Sequence, residues 1–267
     1  AKSAPIFLPN SVGGYMPAKA ATYDAKGFGS GDKPNAILTA LSKGYVVASV
    51  GARGRTLEKD GKYTGKAPAA IIDLKSAVRY LHFNDEAMPG DANKIISNGT
   101  SAGGALSALL GASGDSMGYV EYLKQVGAAE ASDAIFAVSA YCPITNLEHA
   151  DAAYEWQFNG VNNYQKMDAS MLDYHAERKL VSGTLTKAQI QVSGRLKARF
   201  PAYVNSLNLR DPQGRRLRLN AQGNGSFKNY VASFLRQSAQ GQLDAGKDLS
   251  DRNWLTPVSY THLRAHE

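Results

Sequence analysis

The sequence contains almost no cysteine. Cys142 is the single cysteine among 267 residues, which excludes an intramolecular disulfide framework and any metal site built from several thiolates. Long apolar runs are also missing. The longest uncharged stretch of note, residues 95–114, contains five glycines and four serines, so it does not predict a membrane-spanning helix. We expect no metal, no other cofactor and no membrane partner.

Acidic residues are outnumbered by basic ones, 23 against 30, which gives a formal net charge of +7. Most of this excess lies in residues 195–218, where Asp211 is the one acidic residue. A basic segment of this kind usually forms a solvated face, and no helix-turn-helix or zinc-finger spacing accompanies it. We expect no nucleic-acid partner, and a module that binds acidic ligands through this segment stays open as an alternative. Its basic residues are Arg195, Lys197, Arg199, Arg210, Arg215, Arg216 and Arg218.

Up to Ala140, apolar runs that predict strands alternate with segments that predict helices. The predicted strands are residues 5–9, 45–50, 94–98 and 134–140, and the predicted helices begin near Pro34, Pro68 and Ala102. This alternation predicts an α/β fold, with a mostly parallel sheet, helices on both faces and ligand sites at the carboxyl ends of the strands. Apolar residues mark the sheet-facing side of the first two helices: Ile37, Leu38 and Leu41, then Ile71, Leu74, Val78 and Leu81.

After Pro143 the alternation stops, and polar, aromatic-rich segments follow. Within them, the turn Asp211-Pro-Gln-Gly214 predicts the antiparallel pairing of residues 207–209 with residues 217–219. We interpret residues 1–145 as the N-terminal part of an α/β core and residues 146–256 as part of an inserted cap, or lid, domain. Residues 257–267, with His262 and His266, resemble a tail that is not native to the protein.

A serine between small residues follows the third predicted strand, in the sequence Gly99-Thr-Ser101-Ala-Gly103. A serine hydroxyl becomes a nucleophile when a base takes its proton and a sharp strand-to-helix turn, the nucleophile elbow, presents it. Gly99 and Gly103 leave the space that such a turn needs. A second match, Gly114-Asp-Ser116-Met-Gly118, follows a helix and not a strand. The context selects Ser101, and a plain glycine-serine turn is the alternative.

Ester cleavage by a serine also needs an oxyanion hole, which consists of backbone N–H groups that stabilise the negative charge of the tetrahedral intermediate. One donor follows the nucleophile, which makes it Ala102, and another comes from the loop after an earlier strand. The sequence Val12-Gly-Gly14-Tyr15 follows the first predicted strand. We therefore predict that Ala102, Gly14 and Tyr15 form the hole, with a plain glycine turn as the alternative.

Three charged residues near the predicted carboxyl edge are weaker candidates. Arg53 and Arg55 follow the second strand, where arginines either contact a substrate or hold loops. Asp73 lies beside the apolar face of the second helix and fits a structural carboxylate that accepts hydrogen bonds.

Histidines suited to act as a base are few. His149, near Glu148 and Asp151, is one candidate for a substitute base, although a polar helix explains the same residues. Outside the tail, the other two histidines, His82 and His175, fit surface positions. The single cysteine, Cys142, fits a small apolar residue at a strand end.

Four long segments resemble bacterial tannases and their feruloyl-esterase-like relatives in the α/β-hydrolase superfamily. They are PNSVGGYMP (9–17), IIDLKSAVRYLHFN (71–84), IISNGTSAGGALSALLGASG (95–114) and AVSAYCPITNLEHADAAYEW (137–156). The resemblance covers most of residues 3–256. It implies a serine esterase that cleaves small galloyl or related phenolic esters through an acyl-enzyme. It also implies Ser101 as the nucleophile, the Gly-Gly-Tyr loop as part of the oxyanion hole and a cap domain over the pocket.

The sequence departs from this family in one respect. The triad of this fold runs Ser, then Asp or Glu, then His, and the last two stand on strands after the cap. No such strands are evident, so we expect an N-terminal fragment that lacks the triad acid and histidine and is inactive as given. Another serine hydrolase of the same fold, such as an acetyl or feruloyl esterase or a serine peptidase, is an alternative, as is a non-catalytic binding module.

Overall fold

A computed structural model describes residues 2–24, 34–170, 177–250 and 264–266, with the backbone alone for 166–170, 177–179 and 264–266. The chain divides into two compact units. The first consists of Ala1–Thr145 with Ala169–Glu177, and the second of Asn146–Asp168 with Arg178–Glu267. The assignment of the second unit as part of an inserted cap stays a prediction.

Six strands lie wholly in the first unit: β1 (Pro5–Pro9), β2 (Val46–Val47), β3 (Glu58–Lys59), β4 (Lys62–Tyr63), β5 (Asp91–Thr100) and β6 (Ala137–Tyr141). Four of them form a sheet in the order β2-β1-β5-β6, while β3 and β4 pair with each other. Every neighbouring pair in the four-stranded sheet is parallel, which confirms the predicted parallel sheet. The carboxyl ends of these strands therefore meet at one edge, and β5 ends between β1 and β6.

Helices α1 (Ala36–Ser42), α2 (Ala69–Phe83), α3 (Ala102–Ala112) and α4 (Val120–Gln125) belong to the same unit. The predicted apolar face of α2 is confirmed, because all four of its residues are buried in one cluster with residues of β1 and β5. Burial of one such side chain contributes about 1.5–3 kcal/mol, so this face fixes α2 on the sheet. The four residues are Ile71, Leu74, Val78 and Leu81.

Helix α1 differs from the prediction in its apolar face. It begins after Asn35, whose side-chain oxygen accepts a hydrogen bond from the Leu38 N–H at 2.8 Å. The helix packs through Ile37 and Ala40, which are buried, whereas Leu38 and Leu41 are 40% and 45% exposed. Since residues three apart share one helix face, burial of the first pair turns the two leucines outward.

The strands also differ from their predicted bounds. Strand β2 covers Val46–Val47 and not residues 45–50, because the chain after it pairs with the loop after β1. In that pairing Ala18 and Ala52 exchange two backbone hydrogen bonds of 2.9 and 2.8 Å. Strand β5 is longer than predicted, Asp91–Thr100, and β6 begins at Ala137.

The rest of the chain contains α5 (Leu147–Phe158), β7 (Asn163–Ser170), β8 (Glu177–Thr184), α6 (Lys187–Ser206), α7 (Ser226–Asp244) and β9 (Arg264–His266). Strand β7 lies between β8 and β9 and is parallel to β9, which falls in the predicted tail. The predicted pairing around the Asp211-Pro-Gln-Gly214 turn is confirmed: the Leu217 N–H donates to the Leu209 carbonyl at 2.9 Å.

An aromatic cluster forms the core of the second unit. Trp156 stacks on Phe200 with ring centroids 4.9 Å apart, and its Nε1 donates to the Gly223 carbonyl at 2.7 Å. These contacts join α5, α6 and the segment before α7. None of the helices that the structure describes is both long and apolar enough to cross a membrane.

Candidate functional site

Ser101 stands where the central strand β5 ends and α3 begins. Its φ of 58° and ψ of −121° lie where residues other than glycine are rare, at a cost of about 1–3 kcal/mol. The Ser101 N–H donates to the Tyr141 carbonyl at 3.0 Å, which ties the turn to β6. The Ser101 carbonyl accepts from the Ala105 N–H at 2.9 Å, which starts α3. The geometry is that of an elbow that carries a half-buried serine at the carboxyl edge of the sheet.

The residues around the turn are small because other parts of the chain pass very close to them. A Cβ atom on Gly99 would lie 2.3 Å from the Gly103 carbonyl oxygen, and one on Gly103 would lie 2.5 Å from Asn10 Oδ1. A Cβ atom on Gly104 would lie 2.5 Å from the Tyr141 carbonyl oxygen. A larger residue at any of these positions would therefore displace β6, α3 or the loop after β1.

The loop after β1, residues 12–15, brings further backbone donors to this edge of the sheet. Gly14 and Tyr15 both have a φ of 56°. Within the described ranges no group accepts a hydrogen bond from the N–H of either residue, or from that of Ala102, the first residue of α3. Burial raises the pKa of the Tyr15 phenol above its usual value. The structure thus places the three predicted oxyanion donors at the strand ends with their N–H groups unpaired, and their role stays a prediction.

Asn10 joins the loop of residues 12–15 to the elbow, and the sequence analysis missed it. Its side chain is buried, and Nδ2 donates to the carbonyls of Asn98 and Gly103, both at 3.1 Å, and to Ser107 Oγ at 2.9 Å. Its Oδ1 accepts from the Val12 N–H at 3.4 Å. One amide therefore contacts β5, α3 and the loop. The available signal was its position, as a polar residue directly after an apolar strand.

The loop after β2 is fixed to α2 by an ion pair. Arg53 donates to the Asp73 carboxylate through Nε and Nη2 at 2.7–3.0 Å, and through its backbone N–H at 2.7 Å. The hydrogen bonds to Asp73 raise the pKa of Arg53 above its usual value, against an opposing effect of burial. These contacts support loop anchoring for Arg53 and a structural role for Asp73.

Two of the candidate bases have described partners of their own. The ring of His149 stacks on Tyr203 with centroids 3.7 Å apart, and His82 Nε2 lies 3.1 Å from the Ala134 carbonyl oxygen. His175 lies outside the described residues. In the part of the chain that the structure describes, no histidine or carboxylate is hydrogen-bonded to the Ser101 hydroxyl.

Two other sequence candidates are also placed by the structure. Ser116 caps a short 3-10 turn with an ordinary φ of −67°, so it does not share the strained geometry of Ser101. Cys142 lies at the predicted strand end but is exposed, which corrects its interpretation as a small apolar residue. Among the described residues, no cluster of His, Cys, Asp and Glu could hold a metal ion.

Comparison with known proteins gives a consistent set of similarities. Residues 20–190 match the BD-FAE family. The structure is similar to Fusobacterium nucleatum tannase, with a TM-score of 0.80 and 57% identity over 100% of this chain and 57% of that chain.

Two further solved structures are similar. The tannin acyl hydrolase from Lactobacillus plantarum gives a TM-score of 0.76 and 48% identity, over 94% of this chain and 52% of that one. A tannin acyl hydrolase in complex with ethyl gallate gives 0.75 and 49%, over 93% of this chain and 52% of that one. No curated protein matches the chain. The chain thus spans little more than half the length of these solved structures.

Proposed function

The chain belongs to the BD-FAE family of feruloyl-esterase-like α/β-hydrolases, and from this we propose that the protein is a serine carboxylic ester hydrolase that cleaves galloyl or related phenolic esters. The observation that carries the proposal is the strained Ser101 at the end of β5. The substrate class is supported by the similarity to tannin acyl hydrolases, one of which holds ethyl gallate.

In this reaction the Ser101 oxygen attacks the ester carbonyl carbon while a general base takes the hydroxyl proton. The carbonyl oxygen becomes an oxyanion that accepts hydrogen bonds from the N–H groups of Ala102, Gly14 and Tyr15. The alcohol then leaves with the proton, and the acyl group stays on Ser101 until water hydrolyses it. Each oxyanion donor is worth a factor of about 10²–10³ in rate.

No contact among the described residues supplies the general base of this mechanism. We propose that the described residues supply the nucleophile and the oxyanion donors, and that the base and its acid partner come from elsewhere, in the order Ser, acid, His that this fold uses. The described partner of His149 is Tyr203, on which its ring stacks. A test of activity therefore needs a protein of the relatives' full length as well as the chain itself.

The test compares the chain with a chimaera in which it is joined to the segments of the Fusobacterium nucleatum tannase that it does not span. Both proteins are assayed on methyl gallate, on an acetyl ester and on a peptide anilide, with Ser101→Ala as the matched variant. We expect the chimaera to cleave the gallate in preference to the other two, and the Ser101→Ala chimaera to have lost that activity.

Two results would contradict the proposal. Cleavage of gallate that survives in the Ser101→Ala chimaera would show that another residue is the nucleophile. A folded chimaera that cleaves the acetyl ester or the anilide, but not the gallate, would show that the substrate class is wrong.

A further inference from the structure

We propose that Arg55 is a positioning residue for the oxyanion hole and that it acts through the hydrogen bond from its Nε to the Gly14 carbonyl. The bond is 2.8 Å long. The proposal rests on the function proposed for Ser101 and the loop of residues 12–15, and it adds a side chain from a different loop to that site.

Arg55 contacts two successive carbonyl groups of the loop. Its Nε donates to the Gly14 carbonyl, and its backbone N–H donates to the Tyr15 carbonyl, also at 2.8 Å. The C=O and N–H of a trans peptide point in opposite directions. The bond to the Gly14 carbonyl therefore turns the Tyr15 N–H away from Arg55.

Three donors of the loop, the N–H groups of Gly13, Gly14 and Tyr15, have no acceptor among the described residues. The Met16 N–H donates to the Gly13 carbonyl at 3.0 Å, so it is not available to a ligand. The same bond orients the Gly13–Gly14 peptide and thus the Gly14 N–H. The two predicted oxyanion donors, the N–H groups of Gly14 and Tyr15, are thus both available to a ligand, and the Gly14–Tyr15 peptide is the one that the Arg55 side chain holds.

The backbone of this loop needs such support. Tyr15 is not a glycine, yet its φ is 56°, and a conformation of this kind persists only where the surroundings determine it. On one side the Tyr15 ring packs against the core cluster. On the other side Arg55 binds the carbonyls before and after the Tyr15 Cα atom.

The loop that carries Arg55 is itself fixed. Arg53 is bound to Asp73 of α2, and a Cβ atom on Gly54 would lie 2.2 Å from the Met16 carbonyl carbon, so the two loops are in tight contact. The terminal nitrogens of the Arg55 guanidinium contact no acceptor in the described residues. The contact that the structure gives this side chain is therefore the one to Gly14.

Three substitutions separate the hydrogen bond from the charge. In Arg55→Gln the side-chain amide nitrogen takes the place of Nε, so the donor is kept and the charge is lost. In Arg55→Lys the charge is kept, but a methylene group takes the place of Nε. Arg55→Met removes both at similar length, and Arg236→Met, at an exposed arginine of α7, is the control for an arginine-to-methionine change.

The readout, measured on the chimaera and its variants, is the reaction of Ser101 with a fluorophosphonate, whose phosphoryl oxygen must occupy the oxyanion hole. The rate is resolved into reversible binding and the inactivation step. We expect Arg55→Gln and Arg236→Met to react like the wild type. We expect the inactivation step of Arg55→Met and Arg55→Lys to be about 10- to 100-fold slower, since loss of a whole donor costs about 10²–10³, with reversible binding little changed.

A wild-type rate in Arg55→Lys with a slow Arg55→Gln would overturn the proposal, because charge and not the hydrogen bond would then matter. Equal rates in all variants would overturn it as well.

Hydrogen exchange of the backbone amides of Met16 and residue 55 is measured in parallel, because both amides donate to carbonyl groups of residues 12–15. If Ser101 of the chimaera does not react at all, the proposed function fails, and the exchange rates then test positioning by Arg55 on their own. Faster exchange in Arg55→Met and Arg55→Lys than in Arg55→Gln still supports positioning, and equal exchange refutes it.

Discussion

At the scale of single residues, Ser101 combines backbone strain with a side chain that caps no helix N–H. Strain of this kind is stored where the surrounding structure imposes it, often at functional sites. Here Tyr141, Asn10 and three glycines impose it, because β6 holds the Ser101 N–H and the glycines allow the tight approach. The strain should therefore be measurable through the free energy of unfolding, independently of any reaction of Ser101.

Two substitutions of Ser101 test this directly. Both Ser101→Gly and Ser101→Ala remove the hydroxyl, but only glycine adopts a φ of 58° without strain. We expect Ser101→Gly to exceed Ser101→Ala by about 1 kcal/mol in free energy of unfolding, because relief of strain outweighs the entropy that glycine loses on folding. Urea unfolding of the two variants gives the difference. An alanine variant as stable as the glycine variant would mean that the turn is not strained.

Local steric rules made part of this site predictable from the sequence. The pattern around Ser101 and the glycines of the loop after β1 indicated a turn and a donor loop, because both depend on residues close together in the chain. The contacts of Asn10 and Arg55 were not predicted, because they join residues far apart in the sequence. Asn10 bonds to Gly103 across 93 positions and Arg55 to Gly14 across 41, and single-sequence patterns do not report contacts over such separations.

At the scale of elements, a buried charge cluster fastens α2 to the segment before β6. Lys75 is fully buried, and its Nζ lies 2.6 Å from Asp133 Oδ1 and 2.6 Å from the Ser113 carbonyl oxygen. Asp133 also accepts from Arg79 Nε at 3.0 Å. Burial favours a raised pKa for Asp133, but the hydrogen bonds from Lys75, the Asp115 backbone N–H and Arg79 outweigh it, so its pKa is lowered.

This cluster predicts how the free energy of unfolding depends on pH. Since the pKa of Asp133 is lowered in the folded state, its stabilisation is complete above the usual carboxyl pKa of about 3.9. It is lost as the pH falls through the lowered value. We expect Asp133→Asn to cost about 3–5 kcal/mol near neutral pH, because Lys75 is left buried without its partner. The difference in free energy of unfolding between Asp133→Asn and the wild type should become smaller in acid.

Urea unfolding near neutral pH and at about pH 3 measures both effects. Glu121→Gln is the control, because the Glu121–Lys124 pair is largely exposed and its loss should cost no more than about 0.5 kcal/mol. A gap between Asp133→Asn and the wild type that stays constant with pH would show that Asp133 does not carry the stabilisation.

Elements with strong periodicity were predicted best. The apolar stripe of α2 and the turn at Asp211-Pro-Gln-Gly214 follow local rules, and both are present. Helices α6 and α7 were missed. Helix α6 does carry a capping box, Thr186 with Gln189, but Pro201 inside it breaks the helical pattern. Helix α7 carries apolar residues at helical spacing, a signal that the sequence analysis overlooked, although the structure buries none of them fully. They are Phe227, Tyr230, Val231, Phe234 and Leu235.

At the scale of the whole molecule, the fold class followed from the alternation of strands and helices in the first unit. The family was indicated by four long motifs, and the match of residues 20–190 confirms it. The charge of the chain is distributed unevenly over its two units. Residues 195–218 lie in the second unit, where Arg215 pairs with Asp211 and the Arg216 and Arg218 side chains are exposed.

The most direct test of the account is to map the site at which a fluorophosphonate reacts. Trypsin releases the peptide 95–124, which contains both Ser101 and Ser116, the two serines that match the elbow pattern. The measurement is made on the chain and on the chimaera, with Ser101→Ala in each. Fragmentation of the labelled peptide then assigns the adduct to one serine.

The account predicts a stoichiometric adduct on Ser101 in the chimaera, none in its Ser101→Ala variant, and slower labelling of the chain, in which no described base contacts Ser101. An adduct on Ser116 or on any other residue would contradict it. So would a chimaera that cleaves gallates while Ser101 stays unlabelled.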